Sequence, residues 1–520
     1  MKNKILKYIY VALASCSITL TSCEDLDEDL SGVEIPQSYY SDDKTLESGL
    51  VGIFGVWHRN TWSLEMLSSY MGADDLTSRT GSNKIPLIEA DRFGLTGGNS
   101  WVTNNWNTSY QTIANCNSVL ENAEQITDLE EDVLNYYIAN ARFVRGVIYY
   151  KLASTFGDVP MPLVSAVDLT IKKTQKRKVM QQAIDDLTFA MQWAANPRDT
   201  DPMVADGHAS KTAAKAYLAK VYLHLTGWPY NEADKWAQVK QLTKEIIDGG
   251  VYSLTDDFAH SFQDPHQINK EVIFSHYCQK DPWPFATHNR SYGLRWANWM
   301  DFYMEWTYFN NFPEGYRKEY STATTGNPFF DQFGNPVVTK FTWGTQAPNS
   351  TDPVDHVFEH RWQTSNDNIA IRYAEILLIY AEACANTGDL PEAREKLNYV
   401  KRRAYAGGAT KQADVALLPT EFWKLPNALI DYTAISLPDK DAIVDAILTE
   451  KAYEFLGEIG GVRWFDLVRH ELVGPVNDLR DPIDTADIPL VGDPYDNSLW
   501  FTPIPDTETV LNPNLLLPAE

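Results

Sequence analysis

The chain is poor in cysteine and in basic residues, and both shortages exclude classes of function. Its 520 residues include five cysteines, and 44 Lys+Arg stand against 70 Asp+Glu. A surface so acidic repels phosphate backbones, so we expect no nucleic-acid partner. The cysteines lie far apart, and none has the paired spacing of a zinc site.

Several catalytic and membrane signatures are also missing from the sequence. It contains no G-x-S-x-G elbow, no P-loop and no glycine run of the dinucleotide-binding type. The apolar run Ile9–Leu20 has twelve residues, which is too short to span a bilayer as a helix. We therefore expect neither a nucleotide cofactor nor a transmembrane anchor.

The N-terminus has the layout of an export signal. Three lysines precede the apolar run, and the small residues Thr21 and Ser22 precede Cys23. This pattern looks like a bacterial lipobox, in which the cysteine is lipidated and becomes the mature N-terminus. We expect a signal peptide over 1–22 and a lipidated acidic tether over 23–34. An ordinary secretory signal with an incidental cysteine is the alternative.

Removal of the signal leaves a strongly acidic chain with few thiols. The leader carries three lysines and no acid, so 41 basic residues face 70 acidic ones, a net charge near -29. Once Cys23 is lipidated, the remaining cysteines are Cys116, Cys278 and Cys384. Their wide spacing and odd number predict buried free thiols and no disulfide framework.

Helical periodicity is clearest in two antiparallel pairs. Residues 388–404 carry an amphipathic stripe, with Asp389 and the glutamate three positions later set as a capping box. The preceding residues 369–386 are apolar almost all round, as in a buried helix. Residues 210–250 predict a second pair, in which small and aromatic residues alternate as in tetratricopeptide repeats.

These patterns predict a mainly α fold with a tetratricopeptide-like spine of helical hairpins. We expect one domain over 35–520, with the spine at about 110–250 and 369–460. Long loop-rich elaborations are expected at about 53–109 and 256–368, where glycine, proline, asparagine and aromatics replace helical periodicity. A few short strands are predicted there, "EVIFSHY" among them. Loops of that length usually carry function.

Four segments in order resemble the SusD-like (SusD/RagB) family of surface glycan-binding lipoproteins. They are "ARFVRGVIYYKLASTFGDVPMP" (141–162), "IRYAEILLIYAEACANTGD" (371–389), "EKAYEFLGEIGGVRWFDLVRH" (450–470) and "FTPIPDTETVLNPNLLLP" (501–518). The acidic tether is similar to the signal that sends such lipoproteins to the outer face of the outer membrane. The resemblance implies a non-catalytic protein anchored there through Cys23. It further implies a glycan ligand and a SusC-like TonB-dependent transporter barrel as partner.

The charged motif residues of the third segment favour a structural role. Arg463, Asp466 and Arg469 lie three apart on one helical face, which is a geometry for satisfied ion pairs. We therefore expect no catalysis there.

The richest candidate for ligand binding is the central stretch 281–310. It holds ten aromatic residues in thirty positions, against about four expected from the 12% average. Sugar rings present flat C–H patches that stack on aromatic faces, beside hydroxyls that need polar partners. The candidates are Trp283, Tyr292, Trp296 and Trp299, although the last two also fit a helical core stripe.

A second candidate lies in the polar, turn-rich segment 72–84. Asp75, Arg79 and Asn83 can hydrogen-bond hydroxyls, and Trp101 can supply the stacking surface that this segment lacks. By the resemblance, loops of this N-terminal part share the glycan site with the central aromatic loops. The alternative is a solvated loop without ligand.

Two other functions stay open from the sequence. "HVFEH" (356–360) matches the H-x-x-E-H pattern of zinc peptidases, which would make the chain a surface hydrolase. That motif binds metal only on a helix, and here Pro353 lies just upstream with little helical pattern, so we expect no metal site. The third possibility is a scaffold whose helical spine binds only protein.

Overall fold

The computed structural model describes nine segments of the chain. They are residues 40–59, 72–78, 84–197, 208–263, 269–276, 301–323, 335–341, 367–480 and 489–520. All of them belong to one compact unit that begins at Tyr40. Predictions for the signal, Cys23 and the HVFEH motif fall outside the described residues.

Helices dominate the described segments. In chain order they are α1 (Asp43–Arg59), α2 (Ile85–Asp91), α3 (Ser100–Ala123), α4 (Glu131–Thr155), α5 (Lys176–Trp193), α6 (Lys211–Thr226), α7 (Trp236–Asp248), α8 (Trp306–Asn311), α9 (Tyr316–Ser321), α10 (Tyr373–Asn386), α11 (Leu390–Tyr405), α12 (Gln412–Val415), α13 (Lys440–Glu454), α14 (Val462–Arg469), α15 (Val473–Asn477) and α16 (Asp506–Leu511). The strands are β1 (Leu76–Ser78), β2 (Val272–His276), β3 (Phe302–Met304), β4 (Thr322–Ala323), β5 (Val337–Val338) and β6 (Asn368–Arg372).

The long helices pack in sequence order and form the predicted spine. Each helix from α3 to α6 packs on the helix that follows it in the chain. Helix α7 then packs on α10, and α10 packs on α11 and α13. Stacked antiparallel hairpins bury a continuous apolar core between neighbouring pairs. The predicted mainly α, tetratricopeptide-like fold is confirmed.

The hairpin of α6 and α7 shows how the sequence produces this packing. The Oγ of Ser210 accepts a hydrogen bond from the backbone N of Ala213 at 3.0 Å and caps α6. Ala213, Tyr217 and Val221 are buried at four-residue spacing, so small residues let the partner helices approach while the aromatic ring fills the gap between them. This predicted hairpin is confirmed.

The hairpin of α10 and α11 is also present, with two corrections. Its first helix begins at Tyr373, because Asn368–Arg372 form β6 and pair with β2 instead of extending the helix. The predicted capping box is wrong, since no side chain caps α11. The carboxylate of Asp389 instead accepts a hydrogen bond from Lys240 Nζ at 3.2 Å, which joins this hairpin to α7.

Two long helices, α1 and α3, enter the N-terminal segment 53–109 that was expected to be loop-rich, at 53–59 and 100–109. Helix α1 has an apolar stripe that includes Leu50 and Trp57, both fully buried. Its glycines obscured that stripe in the sequence. Gly49 is required by packing, because a Cβ there would lie 2.7 Å from Tyr40 and 2.8 Å from Val119 of α3.

The described strands form three two-stranded antiparallel sheets. These are β1 with β3, β2 with β6, and β4 with β5. The "EVIFSHY" strand prediction is confirmed by β2. The β1–β3 and β2–β6 sheets join segments that are far apart in sequence. Because β6 leads directly into α10, the β2–β6 sheet ties a loop-rich part to the helical spine.

A buried ion network joins β6, α9, α11 and α13. The carboxylate of Glu454 accepts hydrogen bonds from Arg372 Nη1 at 2.6 Å, from Arg317 Nη1 at 2.7 Å and from Arg403. Glu271 lies 2.7 Å from Arg372 Nη1 and 2.8 Å from Arg403 Nη1. Burial alone would raise the pKa of Glu454, but the three guanidinium groups outweigh it and hold that pKa far below its usual value.

The thiol prediction can be tested at two positions. Cys116 and Cys384 are buried free cysteines, which confirms the prediction for both. Burial raises the pKa of the Cys384 thiol to about 11, so it stays protonated and behaves as a small apolar group. Cys278 lies outside the described residues.

Candidate functional site

The two segments that were predicted to bind ligand are joined by the β1–β3 ladder. Leu76 pairs with Met304, and Ser78 pairs with Phe302. In this antiparallel register Ser78 ends β1 where Phe302 begins β3. The chain therefore enters residues 79–83 at the same end of the ladder where it returns from the central aromatic stretch.

An ion pair next to the β1–β3 ladder also joins the two segments. Lys84, which follows residues 79–83, pairs with Asp301, the last residue before β3. Both side chains are buried, with 11% and 2% exposure, and a buried ion pair holds its partners in a defined geometry. We call the β1–β3 ladder together with Lys84 and Asp301 the loop base.

Asp91 at the end of α2 holds the loop base through hydrogen bonds to Ser78 of β1. Its Oδ2 accepts hydrogen bonds from the backbone N and the Oγ of Ser78 at 2.9 and 2.8 Å, and its Oδ1 lies 3.1 Å from Arg480. Burial would raise the pKa of Asp91, but Arg480, Arg92 and the Ser78 donors outweigh it and lower that pKa. The carboxylate therefore stays charged and fixes the end of β1.

Asp75 is the predicted site residue that the structure places most clearly. Its side chain is buried with only 4% of the residue exposed, and its carbonyl accepts a hydrogen bond from Glu305 N at 3.1 Å. Burial, with a smaller contribution from the neighbouring Asp74, raises the pKa of Asp75 to about 7. The predicted hydrogen bond between this carboxyl and a ligand hydroxyl remains a prediction.

Its neighbour Asp74 forms a bidentate pair that sequence analysis did not find. Asp74 Oδ1 and Oδ2 lie 2.6 Å from Arg463 Nε and Nη2. This pair fixes the N-terminal segment to α14, and it lines a small cavity of about 120 Å³ with Tyr308, Asn311 and Tyr453. Guanidinium, carboxylate, amide and phenol groups are those that hydrogen-bond sugar hydroxyls.

Trp101 lies in the first turn of α3, after the Asn99 cap, whose Oδ1 accepts a hydrogen bond from Trp101 N at 2.9 Å. Its half-buried ring packs against the main core and against a second apolar cluster that contains Leu76 and Phe302. The ring therefore adjoins the loop base, as the predicted stacking role needs.

The remaining predicted contacts cannot be placed. Arg79, Asn83, Trp283, Tyr292, Trp296 and Trp299 lie outside the described residues and stay predictions. The spacing of Trp296 and Trp299 extends as a helical stripe to Tyr303 and Trp306; Trp306 begins a helix, α8, but the prediction is wrong for Tyr303. Tyr303 is buried in β3, because this part of the stretch pairs with β1.

Of the ion pairs predicted along α14, Asp466–Arg469 is confirmed, whereas Arg463 pairs with Asp74 outside the helix. Arg469 Nε lies 2.8 Å from Asp466 Oδ1, the i, i+3 pair that the spacing predicted. Arg469 also binds Glu382 of α10 with both terminal nitrogens, at 2.5 and 2.6 Å. Asp466 accepts from Lys451 of α13, so this face of α14 is used for packing.

Within the described part of the chain, no group of three or more His, Cys, Asp or Glu side chains is arranged to hold a metal ion. The HVFEH motif does not belong to that part, so the zinc alternative is untested by geometry.

The fold and the site together define a helical-repeat protein whose candidate site is built on loops that leave a short, buried ladder. Residues 231–516, more than half of the chain, match the family described as "SusD family". Residues 29–223 match the family described as "Starch-binding associating with outer membrane". The chain belongs to the SusD family.

Individual relatives agree with this assignment. A SusD-like protein P2 of Formosa agariphila is 26% identical over 553 residues, which cover 96% of each chain. Surface glycan-binding protein A of Bacteroides fluxus matches with a TM-score of 0.71 at 21% identity, over 91% of this chain and 97% of that one. Surface glycan-binding protein A of Bacteroides thetaiotaomicron, solved in complex with laminarihexaose, matches with a TM-score of 0.70 at 17% identity, over 90% and 97%. The structural matches show a shared fold.

Proposed function

We propose that this protein binds glycans at the outer face of the outer membrane without cleaving them, and delivers oligosaccharides to a SusC-like TonB-dependent transporter. The observation that carries the proposal is the loop base. It attaches the polar segment and the aromatic segment to one rigid ladder, although they are far apart in sequence.

The chemistry of a sugar ring explains why these two segments belong together. The C–H face of a pyranose stacks on an indole or phenol ring, while its hydroxyls need amide, carboxylate or guanidinium partners. The aromatic segment supplies Trp283 and Tyr292, and the polar segment supplies Arg79 and Asn83. The polar segment 72–84 contains no aromatic residue, so the aromatic segment supplies the stacking surface that the polar segment lacks.

The relatives support a glycan as the ligand. One solved structure of the same fold is described as a surface glycan-binding protein in complex with laminarihexaose. The description of a matching family names starch binding and association with the outer membrane. These descriptions and the geometry of the loop base favour the same class of ligand.

The described carboxylates near the loop base favour binding over hydrolysis. A glycosidase needs two carboxyl groups, roughly 5 to 9.5 Å apart, on either side of the scissile bond. Here Asp74 is engaged by Arg463, Asp91 is held by Arg480, and Asp75 is buried. None of the three is both free and exposed to a sugar.

A lipid anchor explains how such a protein stays at the membrane. No helix in the described part of the chain is long and apolar enough to span a bilayer. Acyl chains on Cys23 would hold it there, since each buried methylene contributes roughly 0.8 kcal/mol. Replacement of Cys23 by alanine should release the protein from the outer membrane fraction.

Affinity for a single glycan chain is expected to be modest. A few stacked rings and hydrogen bonds compete with water and with the loss of ligand freedom, which gives dissociation constants of about micromolar to millimolar. Tethering beside a transporter raises the effective ligand concentration and offsets this weakness.

Affinity electrophoresis tests the proposal directly. Full-length protein in detergent is run through gels that contain laminarin, starch, xylan, mannan or pectin, and its migration is compared with that in an empty gel. At least one polysaccharide should retard the wild type, and Trp283→Ala and Trp101→Ala should each reduce that retardation. Trp193→Ala serves as the matched control, because Trp193 is a half-buried tryptophan at the end of α5, on the spine.

The outcomes separate the three functions left open by the sequence. Absence of retardation in every gel contradicts the proposal, as does retardation that Trp283→Ala and Trp101→Ala leave unchanged. Cleavage of a polysaccharide or peptide with bound zinc would establish a hydrolase. Copurification with the transporter barrel without any glycan binding would establish a protein-only scaffold.

A further inference from the structure

A cleft of about 600 Å³ is lined by residues outside the loop base. It is formed by the end of α4, the start of α5 and the C-terminal segment, and its lining includes Phe93, Phe156, Lys173, Lys176 and Phe501. None of its lining residues belongs to the loop base. Its volume falls in the range of roughly 300–1,000 Å³ that is typical of small-molecule sites. We call it the Lys176 cleft.

Backbone hydrogen bonds fix the walls of this cleft. Thr502 N donates to Thr155 O at 2.7 Å, and Val159 and Thr174 exchange two backbone bonds at 2.8 and 3.3 Å. The Thr502–Thr155 bond joins two of the motif segments that the sequence analysis singled out, 141–162 and 501–518, and the Val159–Thr174 bonds fix the first of them to the chain just before α5. The cleft is therefore a preformed cavity rather than a gap between loosely packed loops.

Lys176 places its ammonium group in the cleft against aromatic rings. Its Nζ lies 4.3 Å from the centroid of Phe501 and 5.8 Å from that of Trp228. Among the residues that the structure describes, no carboxylate lies within ion-pair distance of this nitrogen. The nearby Asp158 instead accepts a hydrogen bond from the backbone N of Lys176 at 2.8 Å. The half-buried ammonium thus has rings around it and room for an anion.

The cleft adjoins the most basic stretch of a strongly acidic chain. Residues 172–178, "KKTQKRK", hold five basic residues and no acid, although the whole chain has a net charge of -26. Two of the five are neutralised locally, since Lys172 pairs with Glu520 and Arg177 with Glu232. Lys173 and Lys176 line the cleft, where Asp158 is the only acidic residue among the lining groups. The local charge therefore favours an anionic ligand.

We infer that the Lys176 cleft is a second binding site, specific for an acidic saccharide that carries a carboxylate or a sulfate. The anionic group would lie between Lys173 and Lys176, the sugar ring would contact the phenyl wall at Phe501, and the Ser498 and Thr502 hydroxyls would serve the remaining polar groups. A neutral sugar would leave the two ammonium groups without partners. This inference does not depend on the glycan site proposed at the loop base.

Titration calorimetry with trigalacturonic acid at low ionic strength tests this inference on full-length protein in detergent. The fully methyl-esterified trisaccharide is the neutral control. The acid should bind and the ester should not, and added salt should weaken binding by screening. Lys173→Gln and Lys176→Gln should each weaken binding about tenfold, as expected for loss of one charge-assisted contact.

Two further variants make the result decisive. Lys178→Gln removes the same charge from the same basic stretch at an exposed position outside the cleft, and it should change affinity by less than about twofold. Lys176→Arg, which keeps the charge, should retain most of the binding. Thermal unfolding of each variant shows whether the fold is intact.

Four outcomes overturn the inference. They are no binding of the acid at millimolar concentration, equal binding of the ester, unchanged affinity in both glutamine variants, and loss of binding in Trp101→Ala with Lys176→Gln unaffected. The last result would place the acidic saccharide at the loop base. Failure of the proposed glycan site appears separately, as absence of retardation in the laminarin, starch, xylan and mannan gels, whereas pectin is itself acidic and reports on both sites.

Discussion

The buried ion network gives the sharpest stability prediction. Glu454→Gln keeps the shape of the side chain but removes the charge that three buried guanidinium groups share. Breaking a buried ion pair from one side costs about 3–5 kcal/mol, because the remaining charge is left without compensation. Each of the three arginines retains another carboxylate partner here. We therefore expect the lower part of this range, a loss of about 3 kcal/mol in the free energy of unfolding.

Urea unfolding followed by tryptophan fluorescence measures this loss at neutral pH. The matched control is Asp248→Asn, which neutralises the exposed Lys244–Asp248 pair at 2.7 Å. An exposed i, i+4 pair contributes about 0.3–0.5 kcal/mol, so the control should barely move the midpoint. A loss below about 1 kcal/mol for Glu454→Gln would refute the reasoning, because it would mean that the arginines need no carboxylate at this position.

The pH dependence of the same variant has a defined sign. The folded protein holds the pKa of Glu454 below its usual value of 4.5, so the carboxylate stabilises the fold above pH 4.5. That contribution is lost as the pH falls from 4.5 toward the folded pKa. The difference between wild type and Glu454→Gln should therefore shrink in acid, and a difference that grows in acid would contradict the assignment.

Two further predictions concern a buried acid and a close helix contact. Burial raises the pKa of Asp75 from 3.8 to about 7, so wild-type stability should fall as the pH rises from about 4 to about 7 and level off above, whereas Asp75→Asn should show no such fall. At about 1.4 kcal/mol per pKa unit, the variant should be more stable at pH 8 by up to about 4 kcal/mol, and parallel pH profiles in thermal unfolding would contradict this. Gly49→Ala places a Cβ 2.7 Å from Tyr40 and 2.8 Å from Val119, which should destabilise the protein by about 1–3 kcal/mol. In the control Gly52→Ala, the added Cβ meets no atom within 4 Å. This variant should be more stable than wild type by about 0.5–1 kcal/mol, because a helix favours alanine over glycine. If urea unfolding shows Gly49→Ala to be more stable than Gly52→Ala, the packing argument is refuted.

Sequence periodicity predicted the spine because helical hairpins are local. The pairs α6–α7 and α10–α11 each lie within about forty consecutive residues, so their apolar stripes and short turns are visible in a single window. The end of a helix was less predictable. Asn368–Arg372 continue the apolar run of α10, yet they form a strand because β2, far away in sequence, provides a partner for their backbone.

The site was predictable in composition but not in arrangement. The excess of aromatic residues in 281–310 and the polar, turn-rich composition of 72–84 are visible in the sequence, and both segments were therefore predicted to bind ligand. The pairing of Ser78 with Phe302 and of Lys84 with Asp301 depends on contacts between distant segments that no local pattern encodes. Asp75 illustrates the same difficulty, since an aspartate in a polar stretch predicts exposure, while the ladder buries it.

The loop base also affects how such a protein can change during evolution. Residues 79–83 are flanked by Ser78 and Lys84. Both flanking residues are anchored at the start of β3, Ser78 by pairing with Phe302 and Lys84 by its ion pair with Asp301. Insertions, deletions or exchanges between the anchors would alter the proposed binding site while both anchors stay in place. On the proposed function, a lineage that encounters a new polysaccharide can acquire a new specificity through a few codon changes in this segment, and it inherits the folding of the remaining chain unaltered.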